Sequence, residues 1–152
     1  MSETREKTLI EPLEDFVGYQ LRRVSAASMA QLAIALSGQN LSPVSGTVLL
    51  MINANPGETQ ARIGRALAIQ RANIAPLITR LENDSLIERT ASDGRSYGLA
   101  CTPKGKTTSR RIMQIMANHE AKLFGALTAS EQGRLLDLLA KARGAISTPH
   151  ED

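Results

Sequence analysis

Apolar residues near the start of the chain recur at steps of three and four: Leu13, Phe16, Val17, Leu21, Val24, Leu32 and Leu36, with the small Ser28 in the same row. That spacing predicts one long helix over about residues 11–37, and Gly38 is a natural stop. Ser42-Pro43 pairs a capping hydroxyl with a proline suited to a first helical position, which opens a second helix of about 43–53. The stretch "NANPG" (53–57) ends it. Thr59 can cap a short third helix through Ala61, Ile63, Gly64 and Leu67. After a tight break at Ala68-Ile69, the stripe Ile74, Leu77, Ile78, Leu81 predicts a fourth helix over about 70–83.

The pattern then changes period. Leu86 to Thr90 and Tyr97 to Cys101 read as two short strands around a turn at Ser92 to Arg95. Thr102-Pro103 repeats the cap-and-proline start, for a helix of about 103–126. Thr128 and Glu131 form a capping box. The last helix carries the stripe Leu135, Leu138, Leu139, Ala142 and Ile146. The first and last helices have more apolar face than a domain of 152 residues can cover. A second copy is expected to bury the excess, because helices bury stripes against helices.

The expected class is therefore mainly α with a small β-hairpin: one domain over 1–152, with a lobe at 42–102 and long helices at 11–38 and 103–146 outside it. A short helix, a turn, a second helix and a hairpin make a winged helix-turn-helix. Charge concentrates in the same place. Residues 59–111 hold ten Lys and Arg against four acids, a net of +6 in a chain whose formal charge is +3, so the remainder is net negative. A basic lobe with this element order suits double-stranded DNA.

If the apolar stripe of the fourth helix faces inward, Ala72, Asn73, Pro76, Thr79 and Arg80 face outward. Asn can pair with adenine, and Ala, Pro or a Thr methyl can touch a thymine methyl. Arg71 stands near the helix N-terminus, which favours phosphate. Pro76 is anomalous in a helix interior: either the helix begins near Ala72, or it is kinked. Arg95 at the hairpin tip can reach a minor groove, while Asp93 holds the turn. Thr59, Arg62, Gln70, Ala75 and Ser96 complete the candidate DNA-binding set.

Other chemistries lack parts. One cysteine, Cys101, allows no internal disulfide and no cysteine-rich metal site, and its place at the inward end of a strand speaks against oxidant sensing. His119 and His150 are the only histidines, and no metal cluster, catalytic arrangement or phosphate-binding glycine loop is visible, so neither a cofactor nor an enzyme activity is expected. The first sixteen residues mix charges and are not expected to act as a secretion signal. Val24 to Gly57 is uncharged but broken by polar residues, so no membrane span is expected, and the cytoplasm is the expected location. A winged helix that binds protein rather than DNA is the alternative.

The segment "DGRSYGLACTPKG" closely resembles the wing signature of MarR-type transcriptional regulators, matching it at Asp93, Arg95, Ser96, Leu99, Thr102 and Gly105. "IGRALAIQRANIAPLITRLENDSLIERT" resembles that family's helix-turn-helix, and the likeness extends over about residues 13–146. Cys101 departs from the usual Leu before Thr, and Ser85 from the usual Gly before the wing. The resemblance implies a homodimer on a pseudo-palindromic operator and a repressor released by a small molecule: a phenolic or aromatic acid, or an acyl-CoA-type thioester. It places the effector between the dimer helices and the DNA-binding lobe. There Val24, Val48, Met51 and Ile52 could line an apolar pocket, with Arg22 and Arg23 at its edge for a carboxylate or phosphate.

Overall fold

The computed structural model describes residues 12–91 and 97–147. Helix α1 spans Val17–Leu36, followed by a 3-10 turn at Ser37–Gln39. Helix α2 spans Pro43–Ala54, strand β1 Glu58–Thr59, α3 Gln60–Ala66 and α4 Arg71–Asn83. Strands β2 (Ile87–Thr90) and β3 (Gly98–Cys101) precede the long helices α5 (Pro103–Leu123) and α6 (Ala129–Ser147). The architecture is mainly helical with a small antiparallel sheet, as expected.

Four of the helix starts follow the local chemistry read from the sequence, α6 among them through the capping box of Thr128 and Glu131. Ser42 Oγ accepts from the Ser45 amide, and Thr59 Oγ1 from the Arg62 amide. Thr102 Oγ1 accepts from Gly105 N. The first helix is shorter than its periodicity suggested. Pro12 to Asp15 form a turn, and Phe16 starts α1 without a side-chain cap.

The sheet has a third strand that the sequence did not betray. β3 lies in the middle, with β1 on one side and β2 on the other. Glu58 pairs with Leu99 and Thr59 with Gly98, so the start of α3 is tied to the wing. Ile87 pairs with Cys101 and Thr90 with Gly98.

Helix α2 is the centre of the core. Its Val48, Leu49 and Ile52 are sealed, together with Leu36 of α1, Ile74, Ile78 and Leu81 of α4, and Ile112 of α5. Removing one of these large side chains is expected to cost about 2–5 kcal/mol. The outer helices are covered far less. Val17 is 83% exposed, Ile34 76% and Leu136 66%, with Leu138 and Met113 also open.

Two tight turns rest on residues in the left-handed region that are not glycine. Ala68 (φ 53°) ends α3 and Ser85 (φ 56°) ends α4. At each, the amide three places past the helix reaches back five residues: Ile69 N to Gly64 O, and Leu86 N to Leu81 O, both 2.9 Å. This is the Schellman arrangement, which prefers glycine at the position that Ala68 and Ser85 hold.

Candidate nucleic-acid interface

Helix α4 divides its residues cleanly. Ile74, Ile78 and Leu81 are buried, while Arg71, Ala72, Asn73, Ala75, Pro76, Thr79 and Arg80 are all exposed. The helix runs from Arg71 without a break, so Pro76 is its sixth residue. The Ala72 carbonyl loses the amide that Pro76 cannot supply, and with both residues exposed, water can take that carbonyl. No side chain caps the start of α4, although Gln70 holds extended backbone there. The first amides are thus left for an outside acceptor, with the Arg71 cation beside them.

The structure divides the arginines by what holds them. Arg62 Nη1 is 2.6 Å from Glu58 Oε1, an exposed pair four residues apart that ties α3 to β1. Arg80 donates to the Asn40 carbonyl at 3.2 Å and stands 3.9 Å from Asp84. Arg89 makes a two-pronged pair with Glu82; that hydrogen bond and charge raise its pKa further. Arg65 and Arg71 have no ion pair among the described residues. Asp93, Arg95 and Ser96 at the wing tip lie outside the described residues.

A groove of about 560 Å³ opens between α3, the start of α4 and the wing strands. Thr59, Gln60, Arg65, Arg71, Arg89 and Tyr97 line it, over a floor that includes Ile74 and Leu99. In the sequence Arg65 and Arg89 stand out only as charge, and Gln60 and Tyr97 carry no binding signal. Their convergence needs the β1–β3 pairing, which carries no sequence signal of its own. The groove presents Arg65 and Arg71, with the Glu82-paired Arg89, beside the open start of a helix, a surface fit for a phosphodiester backbone.

The six positions read as an effector pocket do not share a cavity within one chain. Val48 and Ile52 are core, and Met51 packs against them half-buried. Val24 is exposed on α1. Arg22 and Arg23 lie over the Tyr19 ring, at 5.2 and 5.7 Å from its centre. A separate hollow of about 340 Å³ lies between α1 and α5, lined by Gln31, Ala35, Ile115, Asn118, His119 and Lys122. The buried His119 bonds Ser28 Oγ across that junction at 3.1 Å. Cys101 is buried too, its thiol 3.8 Å from the Leu49 carbonyl, and burial raises its pKa. Among the described residues no helix is long and apolar enough to cross a membrane.

An exposed polar helix face, an adjoining basic groove and a small sheet define a winged helix-turn-helix DNA-binding protein. A sequence model of the MarR family matches residues 39–96. A Thauera aromatica protein named for regulation of the hcr operon is 30% identical over 128 residues, 82% of this chain and 77% of its own. The repressor CouR bound to a 23-mer DNA duplex superposes with a TM-score of 0.84 at 31% identity, covering 91% of this chain and 99% of that one. CouR bound to p-coumaroyl-CoA gives 0.81 at 30%, covering 90% and 98%. The repressor Rv2887 of Mycobacterium tuberculosis is 27% identical over 127 residues, 82% of this chain and 91% of its own. Its complex with salicylic acid has a TM-score of 0.68 at 26% identity, covering 83% and 95%. The chain belongs to the MarR family of DNA-binding transcriptional regulators and is not an enzyme.

Proposed function

We propose that the protein is a homodimeric repressor, acting in the cytoplasm, that binds a pseudo-palindromic operator and is released by a small aromatic or phenolic acid or its CoA thioester. The observation that carries the DNA reading is the face of α4: a row of exposed residues that includes Asn73, Thr79 and Arg80, backed by a sealed apolar stripe. The lobe at 42–102 reads DNA, with Arg95 and Ser96 of the wing completing the contacts and Asp93 holding the wing turn. The helices at 11–38 and 103–146 dimerise. Their exposed Val17, Ile34, Leu136 and Leu138 support that reading, since a lone chain leaves this apolar surface in water. Two recognition helices related by a two-fold axis suit successive major grooves.

The effector class is supported by likeness: CouR has been solved with p-coumaroyl-CoA and Rv2887 with salicylic acid. Arg22 and Arg23, exposed at the Tyr19 ring, suit a carboxylate or phosphate. The test is binding to the DNA flanking the protein's own coding region, titrated with salt, then with a panel of aromatic acids and their CoA thioesters. Selective binding that one compound abolishes is the expected result. Selective binding that no compound alters rejects the effector assignment. No salt-sensitive binding to any duplex would favour a protein-interaction module instead.

A further inference from the structure

The Schellman turn takes the Leu81 and Glu82 carbonyls of α4 and leaves the carbonyls of the exit segment, Asp84 to Leu86, needing partners from elsewhere. At the exit of α4, three consecutive carbonyls are taken by the first turn of one other helix. Lys104 Nζ donates to Asp84 O at 2.7 Å. Thr102 Oγ1 donates to Ser85 O at 2.7 Å. Thr102 N donates to Leu86 O at 3.1 Å. Thr102 Oγ1 also accepts from Gly105 N, so the hydroxyl that starts α5 also holds the turn that follows α4. Gly105 permits the approach, since a Cβ there would overlap the Leu86 carbonyl.

Resting on the DNA-binding reading above, we infer that Thr102 and Lys104 are positioning residues, which fix the angle of the recognition helix α4 by clamping its C-terminal turn to α5. Lys104 belongs to the basic segment, so charge alone would assign it to a phosphate. Its ammonium instead sits at the carbonyl end of α4, where the helix dipole favours a cation.

Leverage makes the clamp matter. A helix of 13 residues is about 20 Å long, so a tilt of about 5° at its exit moves its far end by nearly 2 Å. A base contact does not survive that displacement, whereas attraction to the phosphate backbone is hardly changed by it. The clamp therefore acts on sequence selectivity more than on general affinity.

The test compares wild type, Lys104→Met, Thr102→Val and Thr102→Ser. Each is titrated with salt against a duplex that wild type selects from a random pool, and against a scrambled duplex. Lys104→Met is expected to weaken the selected duplex about fivefold or more, leave the scrambled duplex within about twofold, and keep the salt slope. Thr102→Val is expected to do the same more severely, with Thr102→Ser restoring selectivity. Thr102→Val also removes a cap and can unfold the start of α5, and Lys104→Met avoids that. Equal weakening of both duplexes, with a salt slope shallower by about 0.9 per lysine, would make Lys104 a phosphate contact and overturn the assignment. Unchanged affinity for the selected duplex overturns it equally. Failure of wild type to select any duplex rejects the DNA reading, and this assignment with it.

Discussion

Arg89 and Glu82 join β2 to α4, with Arg89 Nε 2.6 Å from Glu82 Oε1 and Nη2 3.1 Å from Oε2. The pair fixes one wall of the basic groove and cancels one of its charges. Glu82→Gln removes that charge and loosens Arg89. Stability should hardly move, because the pair is exposed. Affinity for unrelated DNA should rise, with a steeper salt dependence, and selectivity should fall. Unchanged binding to unrelated DNA at low salt would contradict this.

Ser85 and Ala68 hold left-handed backbone that costs a non-glycine residue about 1–2 kcal/mol. Glycine is free of that cost but loses more entropy on folding. Ser85→Gly and Ala68→Gly should therefore each stabilise the fold by about 0.5–1 kcal/mol, seen as a higher urea midpoint at an unchanged slope. A lower midpoint would mean that the side chains make contacts worth more than the strain.

These two turns also show what a sequence reveals. The break at Ala68-Ile69 was visible because a periodic stripe stopped there, and the departure at Ser85 because the family resemblance puts Gly at that position. The starts of α2, α3 and α5 were visible because a hydroxyl cap, in two cases followed by proline, acts within four residues. Strand β1 was not visible. It is two residues long, and its partner Leu99 is some forty positions away. The start of α1 at Val17 was missed because apolar spacing continues back to Leu13, through a turn. The outward face of α4 was legible because burial follows the helical period. Val48 and Ile52 are as apolar as pocket residues must be, and within one chain they lie in the buried core around α2. Arg71 was legible as a phosphate-binding candidate at a helix start, whereas Arg65 and Arg89 were legible only as charge, because the folded sheet is what brings them beside it.

Cys101 is 6% exposed, and burial raises its thiol pKa. Both effects suppress the thiolate. Iodoacetamide at about pH 8 should leave the folded protein unlabelled while labelling it fully in denaturant, and peroxide should not alter DNA binding. Rapid labelling of the native protein, followed by loss of DNA binding, would contradict the buried role.

Glu131 Oε2 accepts from both Thr128 N and Thr128 Oγ1 at 2.8 Å, and these bonds lower its pKa. A folded pKa below the unfolded one stabilises α6 fully above the ordinary glutamate range, and the gain is lost as pH falls through the folded value. A carboxyl NMR titration should show Glu131 titrating below an ordinary glutamate, and Thr128→Ala should return it toward the usual range. An ordinary value in the intact protein would mean that the capping box does not persist in solution.

The central claim is that the exposed face of α4 reads base pairs. The most direct measurement is the ratio of affinities for selected and scrambled duplexes, across a salt titration, for wild type and Asn73→Ala. A large ratio is expected for wild type, with a steep loss of affinity as salt rises. Asn73→Ala is expected to reduce the ratio by about 1–3 kcal/mol in free-energy terms while the salt slope holds. A wild-type protein that binds both duplexes alike, or an Asn73→Ala variant as selective as wild type, would contradict it.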